Sequence, residues 1–426
     1  MTRRVPFVGA LVSDTVALLG SRLTMLALPW FVLTTGGSAT QTGLVAAAQM
    51  APMVLVKAVS GPLIDRVGPR RVAIAGDLGS VPVLAAVPVL HHAGWLSFPG
   101  LLLLVALSGA LSGPADAAKA AMTPELARVA GLSLERATGL SGAVERTASM
   151  AGIGLAGALV ALVGAADALL VNAATFAVSC LVITWCTRGL GARSEDHERT
   201  RYATELRSGW DFLRRDPVLL GMSVMVAVTN LVDLAFAAVW LPVWVRGTGH
   251  GVGVLSALML TMLAASAAGA VVAAGLADRL PRFATYVVAF LLTGAPRMLA
   301  FALGAPLWVL FATQVVAGFA SGFINPILGA VIYERIPTHL LGRVGALNTA
   351  FCYALMPLGG LLGGLAASHL GISPALVIGA GVYLIATMAP LVVPSFREFD
   401  RRPEPAPDTG PGAGQSSDPD ADRALT

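Results

Sequence analysis

Twelve apolar runs divide the chain, at about residues 6–33, 42–60, 72–91, 96–117, 140–164, 168–187, 217–245, 251–275, 283–303, 306–330, 343–368 and 373–393. A helix needs roughly 20 apolar residues to cross a bilayer, so each run is one crossing. Twelve crossings with short turns need roughly 360 residues at about 30 each; the rest of the 426-residue chain suffices for one central linker and one tail. Composition agrees, since only 12% of residues are charged and 56% are hydrophobic, against about 25% charged in soluble domains. The mean hydropathy is +0.77.

Orientation follows from the basic residues, because cytoplasmic turns retain Lys and Arg. With the N-terminus inside, all but four of the 28 fall on the cytoplasmic side; Arg246 is external, and Arg22, Lys57 and Arg297 lie within helices. Both termini are therefore expected in the cytoplasm. Basic residues confined to short turns also argue against nucleic acid as the reason for the net charge of +4. Arg3-Arg4 precede an apolar run without a clear small-residue cleavage site, so the first helix reads as uncleaved. Arginine outnumbers lysine heavily, as GC-rich codons produce, which points to a high-GC bacterium; the expected location is its inner membrane.

The expected divisions are an N-terminal six-helix bundle (1–187), a cytoplasmic linker (188–216), a C-terminal six-helix bundle (217–394) and a disordered cytoplasmic tail (395–426) rich in Pro, Gly, Ser and Asp. Within the linker, Leu206, Trp210 and Leu213 recur at helical spacing beside Arg207, Arg214 and Arg215, which predicts an amphipathic helix on the inner membrane surface. Asp216-Pro217 supplies a side-chain cap and a first-turn proline for helix seven.

One turn is partly copied between the halves. Gly61-Pro62-Leu63-Ile64-Asp65-Arg66-Val67-Gly68-Pro69-Arg70-Arg71 follows helix two, and Leu276-Ala277-Asp278-Arg279-Leu280-Pro281-Arg282 follows helix eight; Asp65 and Asp278 are 213 residues apart. Gly109 and Gly322, and Pro124 and Pro337, keep the same offset. Symmetry at half the chain length is the mark of duplicated transporters.

Gly61, Leu63, Asp65, Arg66, Gly68, Arg70 and Arg71 give this turn a pattern that resembles the major facilitator superfamily, with Pro69 where a basic residue is usual. Ala27-Leu28-Pro29, Thr123-Pro124-Glu125-Leu126, Asn172-Ala173-Ala174-Thr175-Phe176, Glu205 through Trp210, Gly342-Arg343-Val344 and Pro357-Leu358-Gly359 narrow the likeness to its macrolide-efflux and siderophore-exporter branch. The resemblance implies an all-α membrane protein of two pseudo-symmetric six-helix bundles. It also implies that Asp65 caps a neighbouring helix and pairs with basic residues, latching the cytoplasmic side closed in the outward-facing state. Gly61, Asp65, Arg66, Gly68, Arg70 and Arg71 form this expected gate, with Asp278 and Arg279 as a weaker copy in which Pro281 replaces the second glycine.

Ionisable groups inside a bilayer are costly, so each is a site candidate. Asp14 and Arg22 lie in helix one, and Asn230 and Asp233 share a face of helix seven. The resemblance places helices one, four, seven and ten around a central cavity, which would gather these four with Ser108, Ser112, Gln314, Ser321 and Asn325. Arg297 follows Pro296 in a helix that packs peripherally in such folds and is expected to snorkel to the surface; Lys57 and Asp77 are expected to snorkel or pair with each other. Glu145-Arg146 reads as structural or gate-related. Gly152, Gly154 and Gly157 in helix five, and Gly359-Gly360 with Gly363-Gly364 in helix eleven, suit close helix packing.

No catalytic constellation, metal-ligand spacing or phosphate-binding loop is present in the sequence, and three dispersed cysteines make no disulfide framework. The expectation is a secondary transporter without cofactor, acting as a monomer on small amphipathic molecules and protons: export by proton antiport, with Asp14 or Asp233 carrying the proton. Proton-symport import is the alternative, and a polytopic enzyme or receptor a more distant one.

Overall fold

The computed structural model describes residues 4–188, 210–276, 279–336, 341–393 and 396. Leu206, Pro337, Asp278 and the tail beyond Phe396 lie outside them. Among the described residues are twelve helices long and apolar enough to span a membrane. The first bundle holds α1 (Val5–Thr34), α2 (Ala39–Val59), α3 (Pro69–His92), α4 (Phe98–Ala130), α5 (Leu134–Val163) and α6 (Ala165–Cys186). The second holds α7 (Pro217–Gly247), α8 (Val252–Leu276), α9 (Arg282–Ala302), α10 (Leu307–Arg335), α11 (Leu341–Ala354 and Met356–Leu370) and α12 (Ile372–Val392). The ends are called here the arginine-rich end, which carries the Gly61–Arg71 segment, and the opposite end.

Helix ends follow local chemistry. Ser97 and Ser133 cap α4 and α5 through their hydroxyls, and the Asp216 carboxylate accepts from the backbone N–H of Val218 and Leu219, at 2.9 and 3.1 Å, as its sequence predicts. Interior breaks have identifiable causes. Pro242 cannot donate to the carbonyl of Ala238, and α7 widens there into a π turn, Phe236–Trp240. Pro357 interrupts α11 at Leu355 in the same manner. Gly294 breaks α9, and a Cβ on it would overlap the Tyr383 ring of α12.

Several expectations are corrected. The long turn expected between helices four and five is only residues 131–133, because the Ala-rich run through Ala130 sustains α4 past Pro124 to a left-handed Gly131. The Gly61–Arg71 turn is itself a short helix, Gly61–Val67, reversed at Gly68, whose φ of +92° favours glycine. Leu213 does not lie on a membrane surface; it is fully buried against Leu219, Ile336 and Val344, while Trp210 stands beside Phe351 of α11.

The duplication survives in a different register. In one bundle Gly109 and Gly113 of α4 press on the carbonyls of Gln49 and Met53 in α2; in the other Gly318 and Gly322 of α10 press on those of Met262 and Ser266 in α8. Matched by contact, α2 and α8 are offset by 213 residues but α4 and α10 by 209, so Gly109 corresponds to Gly318 rather than Gly322.

Among the described residues two close helix seams join the bundles, both towards the opposite end, where Arg246 of α7 also donates to the Leu33 carbonyl of α1 at 3.1 Å. Gly43 of α2 meets the backbone of Gly360 and Gly364 in α11, and Thr40 bonds to Ser368 at 2.7 Å. Gly157 of α5 meets Ser256 of α8, whose hydroxyl donates to the Ile153 carbonyl at 2.6 Å. Of the expected small-residue faces, Gly154 and Gly157 of α5 and Gly360 and Gly364 of α11 face these seams, whereas Gly152 packs on α1 and Gly359 and Gly363 pack on α7 within their own bundles.

Candidate functional site: a cavity between the bundles

Between the seams and the arginine-rich end lies a cavity of about 580 Å³, walled by α1, α5, α7, α8, α9 and α10. That volume is in the range of drug-sized pockets. Met25, Met150, Met259 and Met262 supply much of its apolar wall, with Ile153, Phe236 and Leu263. Thioether side chains are unbranched and polarizable, so such a wall repacks around differing shapes.

The polar groups are few. Asp233 of α7 and Arg297 of α9 form an ion pair in which the arginine side chain is 4% exposed and the aspartate 36%. Arg297 also lies over the Phe236 ring, 4.6 Å from its centroid, and its Nη1 is 2.9 Å from Met262 Sδ. The expectation that Arg297 snorkels is thus overturned: Gly294-Ala295-Pro296 restarts α9 with Arg297 on its buried side. Arg22 of α1 donates through Nε to Ser149 Oγ at 3.1 Å, and its Nη1 lies 3.8 Å from Met25 Sδ. Gln314 is 1% exposed and donates to the Leu258 carbonyl at 3.4 Å. Its Oε1, like Arg297 Nε, is buried with no hydrogen-bond partner among the described residues. Ser321 donates to Ser266 Oγ at 2.8 Å, and Asn325, Glu145 and Arg146 are exposed on the side of the arginine-rich end.

The structure therefore gathers Arg22, Asp233, Gln314, Ser321 and Asn325, but not the whole expected set. Asp14 lines a separate small pocket with Lys119, Met122 and Ser141. Asn230 turns from the cavity and donates to the Cys352 carbonyl at 3.0 Å, although it shares a helix with Asp233. Ser108 is buried away from the cavity, and Ser112 bonds to Gly109 in its own helix.

A second polar group sits inside the first bundle. Lys119 of α4 lies 2.8 and 3.0 Å from the two Asp77 oxygens of α3, Ser179 of α6 donates to Asp77 Oδ2 at 2.6 Å, and Ser13 of α1 is 2.7 Å from Ser179. Asp77 therefore pairs with Lys119, assigned above to a cytoplasmic turn, and not with Lys57. The signal was available: Asp116 and Lys119 stand three apart in an otherwise apolar Ala-rich stretch.

In the Gly61–Arg71 segment, Arg70 donates to Thr187 Oγ1 at 2.8 Å and to the Thr184 carbonyl at 3.0 Å, tying the start of α3 to the end of α6. Gly61 is half-buried; Asp65, Arg66 and Arg71 are exposed, as is Arg279, and the Asp65 carboxylate has no partner among the described residues.

Two six-helix bundles closing on a central, mostly apolar cavity with an ion pair in its wall define a membrane transporter rather than an enzyme. The chain belongs to the Major Facilitator Superfamily, whose model matches residues 11–282 and 248–420. It is similar to the multidrug efflux pump Tap of Mycobacterium tuberculosis, 29% identical over 420 residues that cover 97% of this chain and 99% of that protein. It is also 28% identical to Tap of Mycolicibacterium fortuitum over 408 residues, 95% of this chain and 99% of that one. In fold it matches a variant of the nucleoside transporter NupG (TM-score 0.75, 13% identity, 91% of this chain and 98% of the other). It likewise matches a bacterial homologue of the iron transporter ferroportin in an inward-facing state (TM-score 0.72, 14% identity, 93% and 99%).

Proposed function

We propose that the protein exports small amphipathic molecules across a bacterial inner membrane by alternating access, driven by proton antiport, with the 1–187 and 217–394 bundles as the two moving units. The observation that carries this reading is the cavity: thioether and aromatic walls for an apolar body, with the Asp233 carboxylate in its wall and Glu145 nearer the arginine-rich end. The Tap relatives support export over import. The arginine density of one end supports a cytoplasmic placement of that end and of both termini, and the seams at the opposite end then make this the inward-open state.

Of the two carboxylates expected to carry the proton, Asp233 is the better placed, because it alone borders the cavity. An ion pair inside the bilayer is tolerable only while both partners are satisfied. A proton on Asp233 uncouples it from Arg297, changing the charge that substrate meets and linking substrate release to proton binding. Asp65 is free in the inward-open state and forms its latch only when the arginine-rich end closes.

Everted membrane vesicles test the reading. An imposed pH gradient, acidic inside, should drive dye accumulation in the wild type and not in Asp233→Asn present at equal level. Gradient-driven uptake confined to intact cells would instead establish symport.

A further inference from the structure

We infer that the cavity selects amphipathic molecules carrying an anionic or strongly hydrogen-bond-accepting oxygen group, and that Arg22 is the residue that binds it. The inference rests on the transporter reading of the cavity and names the substrate class that reading leaves open.

Charge and unused hydrogen bonds at the cavity's depth distinguish Arg22 from its neighbours. Asp233 and Arg297 cancel each other. Glu145 and Arg146 stand about one turn from Ser149 on α5, both exposed nearer the arginine-rich end, and neither forms an ion pair with Arg22 among the described residues. Arg22 is left without a direct ion-pair partner, half-buried in a lining that includes Met25, Met150 and Ile153.

A guanidinium carries five N–H donors. Arg22 uses Nε on the neutral hydroxyl of Ser149, and one Nη1 hydrogen points at a thioether sulfur 3.8 Å away, a weak acceptor. No carboxylate lies within ion-pair distance of it among the described residues. Its terminal nitrogens thus present the forked geometry that matches a carboxylate, sulfonate or enolate. An unpaired arginine at this depth is expensive, and a ligand that supplies its counter-charge removes that cost upon binding. A cationic ligand would meet a net positive floor.

The geometry also sets where the apolar body goes. Ser149 holds the guanidinium against α5, so an oxygen group seated on Arg22 directs the remainder of the ligand towards Met259, Met262 and Phe236 across the cavity.

Two dyes with one skeleton isolate the charge. Anilinonaphthalene sulfonate and phenylnaphthylamine differ by the sulfonate alone, and both fluoresce on entering an apolar site. With the full-length protein in nanodiscs of neutral lipid, the component of binding that Ala267→Trp abolishes by filling the cavity is the one to compare. The sulfonate is expected to bind about tenfold more tightly than its neutral analogue, the gain of a charge-assisted pair. Arg22→Gln should erase that preference while leaving the neutral dye's affinity intact, and Arg22→Lys should restore part of it. Equal affinities in the wild type, a preference unchanged in Arg22→Gln, or no saturable binding of either dye would overturn the assignment. Because binding is measured without a gradient, its outcome is separate from that of the vesicle experiment, whose failure would remove proton-driven export and leave this selectivity standing.

Discussion

Lys119→Met should destabilise the protein strongly, although Lys119 lies far from the cavity's ion pair. Asp77 is fully buried, and three hydrogen bonds hold its carboxylate, two from Lys119 Nζ and one from Ser179. Methionine fills a similar volume, so the packing of this buried position changes little. What is lost is the counter-charge, and a buried charge left without its partner costs about 3–5 kcal/mol. That is about a hundredfold to several thousandfold in the unfolding equilibrium. The assay is thermal unfolding of purified protein in detergent, read by tryptophan fluorescence, beside Asp77→Asn/Lys119→Met. The double variant removes both charges and retains the Ser179 hydrogen bond, so it should recover most of the loss. A single variant as stable as the wild type, or a double variant no better than the single, would refute the claim that the pair compensates a buried charge.

Other outcomes can be checked with the same material. Asp65→Asn is expected to abolish transport at normal membrane abundance, which immunoblotting and vesicle transport together establish; near-normal transport would leave the latch without support. Gly43→Ala places a methyl against Gly360 and Gly364, so it should separate α2 from α11 and populate the state open at the opposite end. Spin-label distances between the α1–α2 and α11–α12 turns should lengthen, and an unchanged distribution would show that the seam accommodates the methyl.

The helices were legible because run length and apolar content suffice to specify them, and the seams because Gly43 aside their small residues cluster visibly in α5 and α11. Charges inside the membrane were harder to read. Arg297 and Lys119 each stand near a predicted helix boundary, where snorkelling is the cheaper outcome; only the continuation of α4 to Ala130 and the restart of α9 after Gly294 bury them. Asp14 and Arg22 belong to one helix and were expected to share a cavity. Their faces diverge by roughly 80° over eight residues, enough to send Asp14 to the Lys119 side and Arg22 to Ser149. Asn230 and Asp233 show the same limit, since a shared face does not determine which neighbour each side chain meets.

The change of offset from 213 to 209 between the bundles alters which residues are counterparts. Four residues are close to one helical turn, so a length difference of this size leaves α10 with the same face towards α8 that α4 turns towards α2. Under the contact-based register Ser112 and Asp116 of α4 become the twofold mates of Ser321 and Asn325 of α10, and each pair shares its degree of exposure. The two helices carry matching polar rungs, one pair of serines and one of an acid with an amide. A chimera or ancestral reconstruction that aligned the halves by the Asp65–Asp278 spacing would set every rung a turn out of place, matching Ser112 with Asn325 and the crossing Gly113 with Pro326.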